Sequence, residues 1–247
     1  MNILISHPWL LEHLDTDAKP TDIQRMVSLC GPSIERIYER EGESVYDIEI
    51  TTNRVDSMCV RGVAREVAVI LDQFGVSAQL KPITTPPLLK LTSTNQQQLP
   101  LPKISIETPH CKRILCVLLD GVEHTDTPDW MAKRLRQTDQ QVHDSVIDIT
   151  NYITHELGYP CHAFDYDKLM QLGGEIHVIE ASPNLSFTTL DGVNRKTVGG
   201  EIVFVNQDNE IIDLPAVMGT TNSSVDSTTK RVLLWIESLD AKKVRFT

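Results

Sequence analysis

The 247 residues carry a formal charge of −11, with 40% hydrophobic and 23% charged side chains, the balance of a globular chain with room for one large domain or two modest ones. Nucleic-acid binders neutralise phosphates with clustered Lys and Arg. Here the dense basic stretches are Lys133-Arg134-Leu135-Arg136 and Lys242-Lys243-Val244-Arg245, so composition argues against a strong autonomous RNA- or DNA-binding module and leaves nothing apolar enough to cross a membrane.

The opening MNILISHPWLLEHLD lacks the basic flank and long apolar stretch of a secretion signal. Thr21 with Gln24 three residues later has the form of a capping box, Ile23, Met26 and Val27 supply an apolar stripe, and Gly31 can close that helix. Val45 to Ile50 alternates as a strand should. A second helix is expected after Asp56 or Ser57, with Val60, Val63, Val67, Ile70, Leu71 and Phe74 on one face and Gly75 at its end. Asn53, Arg54 and Asp56 just before it suit a tied turn with Asp as cap.

Pro82, Pro86, Pro87, Pro100 and Pro102 interrupt the next stretch, which reads as a linker over 81–102 between a first domain, 1–80, and a second, 103–247. In the second, Ile114–Leu119 (a buried strand), Glu175–Glu180, Glu201–Val205 and Val232–Ile236 read as strands. Thr127-Pro128 suits a helix start, a further helix runs from about Val146 to Gly158, and Leu190-Asp191-Gly192-Val193 signals a hairpin. Strands and helices do not alternate strictly, so the expected class is α+β rather than a doubly wound sheet. Asp165 and Asp167 lack further metal ligands at suitable spacing and read as a solvated loop. The five cysteines are scattered with no C-x-x-C pair, which suggests neither a zinc site nor a disulfide framework and suits a reduced, cytoplasmic protein.

Three stretches resemble the β subunit of bacterial-type phenylalanyl-tRNA synthetases. Thr51-Thr52-Asn53-Arg54-Val55-Asp56 with Gly62-Val63-Ala64-Arg65-Glu66 is similar to that family's T-P-N-R-x-D…G-x-A-R-E. Asp148-Ile149-Thr150-Asn151-Tyr152, through Glu156-Leu157-Gly158-Tyr159-Pro160 to His162-Ala163-Phe164-Asp165, resembles D-(V/I)-T-N-Y…E-L-G-x-P-x-H-A-F-D. Thr189-Leu190-Asp191-Gly192 with Ala216-Val217-Met218-Gly219 and Asn222-Ser223 resembles T-L-D-G…G-V-M-G-G-x-N-S. The family's tRNA-contacting oligonucleotide-binding barrel has no room here, since only Tyr38–Ser44 joins the flanking segments. The resemblance therefore implies the first domain and the editing domain of the β subunit without the barrel, as a fragment or an unusually short relative.

It also implies a role and a set of residues. The family's ATP- and magnesium-dependent activation of phenylalanine belongs to the α subunit of an α/β heterotetramer, so no catalytic residue for aminoacylation, no metal and no cofactor is expected in this chain. A synthetic pocket built for Phe cannot strongly reject Tyr, and the family hydrolyses Tyr-tRNA(Phe) at a second site. On that resemblance, His162 orients substrate or water, Gly219 gives close backbone approach, and Thr150 and Asn151 flank the pocket. Each has a plainer reading: a hydrogen-bonded loop histidine, a positive-φ turn glycine, and local hydrogen bonds. The family's glutamate for the tyrosine hydroxyl falls on Trp235, with Glu237 two residues on, and its arginine falls on Gln141. Those replacements leave three expectations open: a working editing domain holding tRNA(Phe) weakly, an architectural domain with a decayed site, and a free-standing deacylase.

Overall fold

The computed structural model describes residues 1–83 and 99–247, so most of the expected linker lies outside the described residues. Packing divides the chain into two units, Met1–Leu91 with Thr125–Pro160, and Thr92–His124 with Cys161–Thr247. This partition differs from the expected domains, because residues 125–160 pack with the first unit.

The first unit contains β1 (Asn2–Ser6), α1 (His7–His13), β2 (Leu14–Asp15), α2 (Pro20–Cys30), β3 (Ser33–Arg40), β4 (Glu43–Glu49), a 3-10 turn (Val55–Ser57), α3 (Val60–Gln73), β5 (Gln79–Leu80), α4 (Asp129–Gln137) and α5 (Ser145–Leu157). Strands β1, β4 and β3 form an antiparallel sheet in that order, and β2 pairs with β5. Ile3, Ile5 and Ile48 from the sheet and Ile23, Val27, Val63, Val67 and Leu71 from the helices are buried in one core. Residues 125–160 join that core because Tyr152 of α5 stacks on Trp9 of α1, ring centroids 4.6 Å apart, and Leu135 of α4 is buried there too. The basic stretch on α4 does not face outward as free charge. Lys133 pairs with Glu43 at 2.5 Å, Arg134 with Glu12, and Arg136 with Glu41 at 2.9 Å.

Two expected caps are replaced. Helix α2 starts one residue before Thr21, with Pro20 at its first position, and Lys19 as N-cap offers no side-chain bond. Gln24 instead donates to the Ile34 carbonyl at 3.0 Å. Gly31 does end the helix. The cap of α3 is Cys59, whose Sγ accepts from the Gly62 N–H at 3.2 Å. Asp56 is not free to cap, because the Arg54 guanidinium holds both its oxygens at 3.0 Å and reaches on to Glu66 at 2.5 Å. Arg65 donates to the Asp56 carbonyl at 3.2 Å. The Arg54, Asp56, Gly62, Arg65 and Glu66 cluster is thus a knot tying the turn to α3, in line with a structural role for those residues. Gly62 is required by that closeness, since an added Cβ would overlap the Asp56 carbonyl oxygen and approach Ser57 Cα to 2.9 Å.

The second unit contains β6 (Lys103–Ile106), β7 (Cys111–Asp120), β8 (His162–Asp165), α6 (Tyr166–Gln171), β9 (Glu175–Glu180), β10 (Ser186–Thr188), β11 (Asn194–Lys196), β12 (Ile202–Val205), β13 (Ile211–Leu214), β14 (Met218–Gly219), β15 (Arg231–Leu239) and α7 (Ala241–Phe246). One sheet has the order β14-β13-β12-β9-β6, antiparallel except for β6 with β9. A second, antiparallel, has β15 between β7 and β8. Phe164, Leu233 and Trp235 from the smaller sheet and Ile176, Val178, Phe204 and Ile212 from the larger share one core. The β10–β11 hairpin covers the other face of the larger sheet, with Leu185 and Phe187 against Val203 and Val205. Mixed sheets and helices without strict alternation make the class α+β.

Two further expectations are corrected. The strand containing Ile114–Leu119 is not buried throughout. It alternates, with Leu115, Val117 and Leu119 exposed, because only one face of the three-stranded sheet turns to the core. Nor do Asp165 and Asp167 form a solvated loop. Asp165 is buried, caps α6 by accepting from the Lys168 N–H at 2.9 Å, and accepts from Thr229 at 2.5 Å. Asp167 pairs with Arg231 at 3.0 Å.

Candidate active site

The core-facing positions of the smaller sheet follow from its register. His162 on β8 is the Cα partner of Trp235 on β15, and Phe164 that of Leu233. Glu237 lies two residues beyond Trp235, hence on the same face. Across the core, β13 brings Asp213 opposite Gly219 of β14. His162, Phe164, Trp235, Glu237, Asp213 and Gly219 therefore line one neighbourhood in the second unit.

The His162 ring lies on Phe164, centroids 4.3 Å apart. Its side chain is 31% exposed, but Nε2 is sealed and has no hydrogen-bond partner. Burial lowers its pKa to about 4, so the ring is neutral at pH 7. The plainer expectation, a histidine fixed by its hydrogen bonds, does not describe this Nε2.

Gly219 has no positive φ, which removes a turn requirement as the reason for glycine. What the position does show is closeness. A Cβ there would stand 3.0 Å from Leu190 Cδ1 and 3.1 Å from His162 Cε1. Leu190 itself is 52% exposed and its N–H donates to the Gly219 carbonyl at 3.1 Å, so the rim beside His162 is apolar.

The acids complete the arrangement. Asp213 is 3% exposed, and burial followed by the charge of Glu237 raises its pKa well above the carboxylate range, with the Leu214 N–H opposing. Its Oδ1 has no partner and stands 3.9 Å from His162 Nε2, beyond hydrogen-bonding reach. Burial likewise lifts Glu237 to about 7, partly offset by the Trp235 indole. Trp235 is 1% exposed and sits between Phe164 and Phe204, at 5.7 and 5.3 Å between centroids. It is a core residue.

The remaining candidates belong to the first unit. Thr150 on α5 is buried and donates to the Ile147 carbonyl at 2.7 Å, the local bond of its plainer reading. Asn151 is half-buried on the same helix, and Gln141 is exposed in the loop between α4 and α5. Among the described residues no group of three or more His, Cys, Asp and Glu could hold a metal ion. Asp213 escaped the sequence reading, although its signal was present: a lone acid within the apolar run Ile211-Ile212-Asp213-Leu214 is costly to bury without a purpose.

The B3/4 domain family matches residues 110–247. The phenylalanine–tRNA ligase beta subunit of Dehalococcoides mccartyi (strain CBDB1) is 35% identical over 209 residues, covering 83% of this chain and 24% of that protein. The beta subunit of Fusobacterium nucleatum subsp. nucleatum is 32% identical over 213 residues, covering 86% of this chain and 25% of that protein. The chain thus spans about a quarter of the length of these curated relatives. A solved N-terminal fragment of the phenylalanyl-tRNA synthetase beta subunit from Pyrococcus horikoshii aligns over 98% of this chain and 70% of its own. Its TM-score is 0.45 and its identity 12%, too distant to add weight.

Proposed function

The chain belongs to the B3/4 domain family, and from that premise we propose that it acts within the beta subunit of a phenylalanine–tRNA ligase as scaffold and as an editing hydrolase for Tyr-tRNA(Phe). The observation that carries this reading is the sealed, neutral imidazole of His162 beside the Cβ-free wall of Gly219. Ester hydrolysis needs an oriented water and a proton acceptor near the working pH. With its pKa near 4, His162 is a weak base at pH 7 but a neutral hydrogen-bonding group, suited to orienting the substrate or the water. Glu237, near 7, has the proton affinity that neutral-pH acid–base work favours. The ATP- and magnesium-dependent synthesis of the ester would be the α subunit's task in the complete enzyme. Paired as Lys133, Arg134 and Arg136 are, α4 offers little free charge to phosphates, in keeping with tRNA being held mainly by other parts of the enzyme.

A second reading is favoured by Trp235. An indole buried in the core where the resembling family carries glutamate suits a domain kept for architecture alone. Hydrolysis of Tyr-tRNA(Phe) by the complete two-subunit enzyme carrying this region, beside its His162→Ala variant, separates the two. The editing reading expects a fall of roughly 100-fold or more in the variant. Equal rates at the spontaneous level would leave architecture.

A further inference from the structure

Buried polar atoms are almost always hydrogen-bonded, so the exceptions mark strain or a ligand. Among the described residues the buried side-chain atoms without a partner include Ser6 Oγ, Trp9 Nε1, Gln137 Oε1, His162 Nε2 and Asp213 Oδ1. The first three are in the first unit. His162 Nε2 and Asp213 Oδ1 stand out because they face each other across 3.9 Å.

We propose that His162 and Asp213 hold one neutral hydroxyl group between them, making Asp213 a specificity or positioning residue of this site. An oxygen set about 2.8 Å from each atom would subtend an angle near 90° at the hydroxyl, within hydrogen-bonding geometry. The chemistry of the pair selects the ligand. Neutral His162 offers an acceptor or a donor at Nε2 according to tautomer, and a protonated Asp213 offers an acceptor or a donor in turn. A hydroxyl both donates and accepts, so it satisfies either arrangement. A carboxylate or phosphate would meet the negative charge of Glu237, which already acts on Asp213, with no formed cation beside it because His162 is neutral, and an ammonium, which can only donate, would satisfy fewer of these arrangements. The apolar Leu190 rim suits an aromatic or aliphatic body behind that hydroxyl.

Within the hydrolytic reading on which this inference rests, the hydroxyl has two possible sources: the phenol of the tyrosyl group, or the attacking water. Binding of L-tyrosinamide and L-phenylalaninamide to the full 247-residue chain tests the phenol without any hydrolysis. Hydrolysis of Tyr-tRNA(Phe) and Phe-tRNA(Phe) by the complete enzyme tests the water. The phenol source predicts that the chain prefers tyrosinamide by about 10-fold or more, as sites that hydrogen-bond a substrate hydroxyl do. Asp213→Ala then abolishes the preference, while Asp213→Asn, whose amide can replace a protonated carboxyl, keeps most of it. The water source predicts no preference between the amides and an equal loss, about 10-fold or more, in both ester hydrolyses for Asp213→Ala, again largely spared in Asp213→Asn. If a folded Asp213→Ala protein matches the parent in amide preference and in both rates, the proposal is overturned. Asp213→Asn serves as the folding control, monitored by the nuclear magnetic resonance signals of the His162 ring. A chain that prefers tyrosinamide but whose enzyme hydrolyses neither ester would sink the editing function and leave the hydroxyl pair standing.

Discussion

Two oppositely perturbed groups in one core give this protein a testable stability signature against pH. Glu237 moves from 4.5 to about 7 in the folded state. The folded form therefore binds a proton that the unfolded form has lost, and the resulting stability is full below about pH 4.5 and is lost as pH rises through 7. His162 moves from 6.5 down to about 4. Its contribution is full above pH 6.5 and is lost as pH falls through 4. Each displacement corresponds to about 3 kcal/mol at most, less what solvent at the partly exposed His162 ring screens. Between pH 4.5 and 6.5 the two slopes oppose each other, so their sum is nearly flat in the parent protein. Removing one partner exposes the other. Relative to the parent, Glu237→Gln gains about 2–3 kcal/mol between pH 4.5 and 7. Relative to the parent, His162→Gln loses a similar amount of stability as pH rises from 4 to 6.5. Urea denaturation of the three proteins from pH 4 to 8, followed by circular dichroism, measures this, and taking differences cancels the contribution of carboxylates outside this cluster. Difference curves that stay level across that window would refute the assignment of both shifts to burial in this core.

Gly62→Ala should lower the stability of the first unit by roughly 2–3 kcal/mol in urea denaturation, since the new Cβ meets the Asp56 carbonyl and Ser57 backbone rather than a side chain that can yield. Alanine is intrinsically the better helix former by about 1 kcal/mol, so a stabilised variant would disprove that close approach. Ala216 has φ of 60°, a left-handed conformation that costs an L-residue about 1–2 kcal/mol. Ala216→Gly should therefore raise stability by up to about 1 kcal/mol after the entropy of glycine in the unfolded chain is subtracted, and a fall in the melting temperature would contradict it.

Much of the fold was legible because its signals are local. The end of α5 at Gly158, φ 80°, and the β10–β11 hairpin, with Asp191 Oδ1 accepting from the Val193 N–H at 3.1 Å, follow from residues next to one another in sequence. The caps of α2 and α3 were misread because tertiary partners won. Gln24 found the Ile34 carbonyl and Asp56 found Arg54, each a better partner than a helix terminus. The packing of residues 125–160 with the first unit was invisible for the same reason, since it depends on a Trp9–Tyr152 stack spanning most of that unit's sequence. In the candidate site, His162 and Gly219 were found through motif resemblance. Asp213 was not: the apolar run around it marks a buried acid, but its place opposite Gly219 comes from cross-strand register.

On the editing reading, Trp235 displaces the site's polarity rather than removing it. The indole fills the space between Phe164 and Phe204, so a carboxylate at that position would have lain against two aromatic rings. The two acids that remain sit beside it instead, Asp213 on the facing sheet and Glu237 further along β15. Both are held in environments that disfavour their charge. A domain retained purely for architecture gains stability by replacing a group such as Asp213 with an apolar one of similar shape, because a buried carboxyl with an unpartnered oxygen costs on the order of 1–3 kcal/mol. A neutral histidine, a buried acid and a second acid poised near neutral pH are costly together in a core of this size. Such clustering of perturbed groups is the pattern that active sites produce. On the editing reading proposed above, the carboxyl function would be carried by β13 and the far end of β15.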